Sequence, residues 1–175
     1  MINNDVLRRL RYAFDYSDQQ MMDIFAQADC QVTRDQVCNW LKADEDADFV
    51  FLEDVMLATF LNGLINALRG KKEGAQAPPE PQLSNNMIFM KLRIALNLKS
   101  DDVLSMLEDV GMTLSQHELT ALFRKPGHKH YRECKDQLLR NFLKAIQLRC
   151  RHQSEPEVLK PGVLKPEVAK KGDVS

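Results

Sequence analysis

The residues best suited to chemistry are consecutive. Arg124-Lys125-Pro126-Gly127-His128-Lys129-His130-Tyr131-Arg132 collects four fixed positive charges, two histidines and an aromatic. Lys and Arg at a surface neutralise phosphate oxygens and release counterions, which makes the resulting affinity depend on salt. Arg124, Lys125, His128, Lys129, His130 and Arg132 are therefore the candidate contacts to a nucleic-acid backbone. The same charges also fit a solvated loop that complements another part of the chain. A second cluster, Asp44, Asp46 and Asp48, has the spacing of the first three ligands of a calcium loop. Phe49 stands where that loop needs glycine and Val55 where it needs a bidentate Glu, which argues against calcium. His128, His130 and Cys134 lack a second Cys/His pair at finger spacing, so no metal is assigned.

Catalytic signatures are missing. His117-Glu118 has no second histidine for a zinc-protease helix, Gly70-Lys71-Lys72 follows no phosphate-cradling loop, and Gly-x-Gly-x-x-Gly does not occur. Nothing in the sequence positions a cysteine against one of the four histidines as nucleophile and base. Cys30 and Cys38 read as small core residues. The expectation leans toward a binding protein with no cofactor, and an enzyme using His128 or His130 would require a cleft that the sequence does not show.

These residues sit in a duplicated frame. Residues 3–66 align with 85–148 at a constant offset of 82 without a gap. Nine pairs are identical: Asn3/Asn85, Asn4/Asn86, Leu10/Leu92, Arg11/Arg93, Ala13/Ala95, Asp54/Asp136, Leu57/Leu139, Phe60/Phe142 and Leu61/Leu143. The copies carry 33 and 29 apolar residues in 64 positions, of which 24 coincide; independent placement would give about 15. The copies therefore share a core pattern.

Within each copy the apolar period is helical, and four helices fit. The first takes Asn3 or Asn4 as N-cap and buries Val6, Leu7, Leu10 and Phe14, matched by Ile88, Phe89, Leu92 and Leu96. A second starts at Ser17, with Gln20 reaching back, and ends near Ala28. The third opens at Thr33-Arg34-Asp35-Gln36, repeated as Ser115-Gln116-His117-Glu118. The fourth carries Met56, Leu57, Phe60, Leu61 and Leu64, answered by Leu138, Leu139, Phe142, Leu143 and Ile146, and stops in the first copy at Gly70. The second and third helices are spaced like a helix-turn-helix with a long turn, a shape shared with ordinary helical hairpins. Among the polar identities, Arg11 is expected to pair with Asp54, and Arg93 with Asp136, as one salt bridge per copy.

Charge separates what the apolar pattern unites. Residues 1–70 hold 6 Lys/Arg against 12 Asp/Glu, a net of −6, whereas residues 83–152 hold 12 against 7, a net of +5. Either the copies dock on each other or the basic one serves an anionic partner. The organisation is thus an acidic repeat at 1–69, a Pro/Gly linker at 70–84, a basic repeat at 85–152 and a Pro-rich tail at 153–175 expected to be disordered. Four cysteines without framework spacing, an opening without a basic-then-apolar leader and no long uncharged apolar run imply a reduced, cytoplasmic protein outside the membrane.

The stretches Asn3-Asn4-Asp5-Val6-Leu7-Arg8-Arg9-Leu10-Arg11-Tyr12-Ala13 and Phe60-Leu61-Asn62-Gly63-Leu64-Ile65, with Asn85-Asn86 opening the second copy, resemble the YehS-like family of uncharacterised bacterial proteins. The resemblance covers residues 1 to about 152 and implies a cytosolic bacterial protein of two tandem copies. It transfers no catalytic residue, and the tail from Gln153 departs from the compact family length. The sequence reading is an all-α protein of two four-helix repeats packed as a pseudo-symmetric pair, each with a helix-turn-helix-like hairpin. Its expected role is nucleic-acid binding or regulation through the basic repeat, with a protein-interaction adaptor acting through the acidic repeat as the alternative.

Overall fold

Reciprocal side-chain caps from Ser or Thr and Gln or Glu close the first turn of three of the helices. Ser17 Oγ accepts the Gln20 amide at 3.1 Å while Gln20 Oε1 accepts that of Ser17 at 2.8 Å. Thr33 with Gln36, and Ser115 with Glu118, form the same reciprocal pair. The computed structural model describes residues 1–154, among which there are eight helices and no strand. They are α1 (Asn3–Phe14), α2 (Asp18–Gln27), α3 (Arg34–Leu41) and α4 (Asp54–Arg69), then α5 (Asn85–Ala95), α6 (Ser100–Asp109), α7 (Gln116–Leu122) and α8 (Asp136–Ser154). Residues 71–84 form neither helix nor strand.

The two asparagine pairs do not cap helices, contrary to the sequence expectation. Ile2 and Ser84 hold the cap positions, and Asn3, Asn4, Asn85 and Asn86 lie inside α1 and α5. Their amides are used at long range instead. Asn4 Nδ2 donates to the carbonyls of Trp40 and Val50, both at 2.9 Å, while its Oδ1 accepts the Leu52 amide at 3.0 Å. Asn86 repeats this on Leu122 at 3.0 Å, Arg132 at 2.8 Å and Cys134 at 2.9 Å. Every partner is shifted by 82, so one buried amide fixes the loop between third and fourth helices in each repeat. A buried backbone group left without a partner is costly, and Asn4 and Asn86 are buried.

The first helix of each repeat lies along the fourth helix of the other: α1 on α8, and α5 on α4. The helices in each pair run in parallel. The Met1 amino nitrogen is 2.9 Å from Asp136 Oδ2 at the start of α8, and Arg151 near its far end donates to the Tyr12 carbonyl at 2.9 Å. The counterpart of the first contact is the Leu83 amide on Asp54 Oδ2, also 2.9 Å. Such reciprocal contacts define a pseudo-two-fold relation, and a single hydrophobic cluster runs from Val6 through both repeats to Ile146. Asp54 and Asp136 thus each bind a neighbour in their own repeat, Asn3 at 2.6 Å or Asn85 at 2.8 Å, and a backbone nitrogen just before the other repeat's first helix. Both sit in first turns, where the helix dipole favours a carboxylate. The Asn85 amide, and then the amino nitrogen, hold the Asp136 carboxyl below the usual carboxylate range.

This geometry corrects the expected Arg11–Asp54 and Arg93–Asp136 pairs. Arg11 Nη2 reaches Asp18 at 3.3 Å, and Arg93 Nη2 reaches Ser100, the residue equivalent to Asp18, at 3.0 Å. The arginines join the end of the first helix to the start of the second, too far along the first helix to meet an aspartate beside its beginning. Cys30 and Cys38 are half-buried, not fully in the core, with Cys38 Sγ 3.8 Å from Asp18 Oδ2. Helix α8 continues through Gln153 and Ser154, where the tail was expected to have begun; no Pro or Gly stands between Asp136 and Pro156 to oppose it. The expectation of disorder for the remainder falls on residues 155–175, outside the described residues.

Candidate nucleic-acid interface

The loops that follow α3 and α7 have opposite charge on one backbone plan. Val50 N donates to Asn39 O and Arg132 N to Ala121 O, each at 3.1 Å. Asp46 N to Ala43 O and Phe49 N to Asp46 O are matched by His128 N to Lys125 O and Tyr131 N to His128 O. Even the side-chain turn is preserved: Asp46 Oδ1 accepts the Asp48 amide at 2.9 Å, and His128 Nδ1 accepts the His130 amide at 3.0 Å. Accepting through Nδ1 leaves that nitrogen without a proton and places the neutral ring's hydrogen on Nε2. Asn4 and Asn86 hold the two loops at the end of the molecule where α1, α4, α5 and α8 begin.

The basic loop gathers most of its candidate residues at the surface. Lys125, His128, Lys129, His130 and Arg132 are exposed, while Arg124 is half-buried with its Nε enclosed and without a hydrogen-bond partner. Arg132 Nη1 meets Glu118 Oε2, the carboxylate that also caps α7. The Arg132 bond, reinforced by the Ser115 amide, holds the Glu118 carboxyl below its ordinary range. Part of the positive charge is therefore compensated inside the site, and Lys125 and Lys129 have no ion-pair partner among the described residues.

The structure adds a residue that the sequence reading left out of the site. His117 lies on the exposed side of α7 with its ring centroid 6.4 Å from that of His130, which is 5.6 Å from that of His128. The Ser115/Glu118 cap together with the Arg132–Glu118 pair brings α7 over the loop. His117 stood within that capping box, but its approach to His130 depends on a bond spanning 14 residues. Cys134, which neighbours these histidines in sequence, faces the core, where burial pushes its thiol up to about 12. No group of three or more His, Cys, Asp or Glu among the described residues is arranged to hold a metal ion.

The acidic loop neutralises some of its own charge. Arg8 Nη1 donates to Lys42 O at 2.6 Å and Nη2 to Asp44 at 3.1 Å, while Lys42 Nζ lies 3.4 Å from Asp48. At the position of Arg8 the second repeat has Met90, so its loop has no such anchor. Among the described residues no helix is long and apolar enough to cross a membrane.

The family described as "Protein of unknown function (DUF1456)" matches the chain twice, over residues 3–70 and 85–151. The chain is 41% identical over 150 residues to the protein named "Uncharacterized protein YehS" of Escherichia coli (strain K12), a match covering 85% of this chain and 96% of that protein. No solved structure matches it. With both repeats matched in tandem, the asparagine brackets and the paired loops belong to a chain that is a member of the DUF1456 family.

Proposed function

We propose that the protein is a non-enzymatic nucleic-acid-binding or regulatory module that contacts a phosphate backbone through loop 124–132 and the exposed side of α7. The supporting observation is the reversal of charge between two loops of common hydrogen-bonded plan. The turn can be built from Asp46 and Asp48 as well as from His128 and His130, so folding does not require the basic residues. Lys125 and Lys129 supply exposed charge without an ion-pair partner among the described residues, and the three histidines supply donors and flat rings. Binding of this kind is electrostatic and tolerant of sequence.

Fluorescence anisotropy of labelled single-stranded and duplex oligonucleotides across a salt series tests the reading. The wild-type chain should bind at low salt and weaken steeply as salt rises. The Lys125→Ala/Lys129→Ala variant should bind more weakly, and on duplex its log–log salt slope should fall by about 2, one lost counterion per contact. Replacing Asp44, Asp46 and Asp48 with Asn should strengthen binding slightly by removing repulsion. Absence of binding at low salt, or binding indifferent to the basic loop, would leave the adaptor reading in its place.

A further inference from the structure

Beside the acidic loop, the first repeat exposes apolar side chains where the second exposes polar ones. Val50 and Phe51 are each 46% exposed and Val55 38%. At the offset of 82 their counterparts are Arg132, Glu133 and Gln137. The backbone is bracketed identically in both places, by Asn4 on Val50 and Leu52 and by Asn86 on Arg132 and Cys134. The fold therefore accepts charged and amide side chains at all three positions and does not call for Val, Phe and Val. Single exposed apolar residues are ordinary, but three within six residues, one of them aromatic, at positions where the other repeat is polar, call for an account beyond folding.

The surrounding charge indicates what that contact is made with. Residues 42–53 contain Asp44, Glu45, Asp46, Asp48 and Glu53 against Lys42 alone. Arg8 and Lys42 engage Asp44 and Asp48, while Glu45, Asp46 and Glu53 have no ion pair among the described residues. We propose that Val50, Phe51 and Val55, with Glu45, Asp46 and Glu53, form a docking surface for a partner-protein segment that carries Lys or Arg beside apolar anchors. Phe51 and the two valines exclude water from the partner's apolar side chains, and the carboxylates steer its cations and set their register. This surface has the opposite sign to loop 124–132, so it stands or falls independently of nucleic-acid binding.

The test uses the full chain and a labelled amphipathic helical peptide of leucine and lysine, with a second peptide in which serine replaces leucine. The wild-type chain should bind the first peptide, bind the second at least about tenfold more weakly, and lose affinity as salt rises. The V50R/F51E/V55Q variant installs the residues that the second repeat already carries on the same turn and should bind the first peptide at least about tenfold more weakly. Circular dichroism melting checks that it folds, and Phe51→Ser provides a milder variant. No binding of the leucine–lysine peptide, equal binding of both peptides, or unchanged binding by either folded variant would overturn the proposal. Two further outcomes would also overturn it. Concentration-dependent self-association lost in the triple variant would assign the surface to a second copy of this chain, and a tenfold gain in peptide affinity on truncation after residue 154 would assign it to the chain's own tail.

Discussion

The two repeats fill the same interior with bulk in different places. In the first, Phe25 of α2 lies 5.4 Å from Trp40 and 5.2 Å from Phe60. In the second, Leu107 stands at the position of Phe25, and Phe89 of α5 takes the place of Leu7, stacking on Phe142 at 4.0 Å. Trp40-Leu41 likewise becomes Leu122-Phe123. Apolar volume can be redistributed between facing positions as long as the space is filled. The Asn4 and Asn86 brackets cannot move in this way: each satisfies three backbone groups at fixed points, and asparagine supplies both the donors and the acceptor.

The severest test of the equivalence is to separate the repeats. Residues 1–72 and 83–152 expressed as separate chains should each lose the cooperative melt of the whole, because α1 and α5 bury their apolar faces against the other repeat and about 64 residues make a marginal core. An equimolar mixture should recover helicity, which circular dichroism would follow; fragments that each melt as high as the intact chain would mean the repeats are independent.

Removing one bracket should have the next largest effect. Asn4→Ala and Asn86→Ala should each cost roughly 3 kcal/mol by leaving buried backbone groups unpaired, measured by denaturant unfolding. Similar costs at the two sites would support the equivalence, and a negligible cost at either would break it.

A third comparison predicts effects of unequal size. A Cβ built on Gly63 would lie 1.9 Å from the Ile24 carbonyl oxygen, because α2 crosses α4 at that point, whereas the second repeat has Ala145 there. Gly63→Ala should destabilise by about 2–4 kcal/mol despite the better helix propensity of alanine, and Ala145→Gly by only about 1 kcal/mol. Denaturant midpoints of the two variants check the ranking.

The last comparison is confined to alkaline pH and concerns Cys134, whose counterpart is Leu52. Burial, and then the nearby Asp136 charge, raise its thiol from an ordinary 9.0 to about 12. A raised value favours the neutral form in the folded state. Its contribution is therefore whole below about pH 9 and is lost between pH 9 and 12, as the unfolded thiol ionises and the folded one does not. Cys134→Leu should fold and should lose less stability than the wild type over that alkaline range in thermal melts.

The helices and the register of the repeats were legible because their causes are local. Apolar spacing and the Ser17, Thr33 and Ser115 boxes act within a few residues. The pairing of Arg11 with Asp54 was misread because a common offset says that two residues have equivalent surroundings, not that they touch. Asp54 is occupied by Asn3 and by Leu83, which leads into α5, and that second contact belongs to an arrangement one repeat cannot display. Asn4 looked like a cap because it stands near a helix start, and the partners that use its amide lie 36 to 48 residues away. Within the candidate site the charge of loop 124–132 could be read directly. The approach of His117, the partial neutralisation of Arg132 by Glu118 and the backbone identity of the two loops required the fold.

The reciprocal packing of α1 on α8 and α5 on α4 is the geometry of an isologous homodimer written into one chain. In a true homodimer every substitution is made twice, so a basic loop in one subunit forces a basic loop in the other, and an apolar patch appears on both faces at once. Joining the halves through residues 70–84 lifts that constraint and keeps the dyad's shared core. Each half can then change its surface alone. The charge of Lys125 and Lys129 and the apolar exposure of Phe51, at non-equivalent positions of the two halves, are differences that identical subunits could not encode.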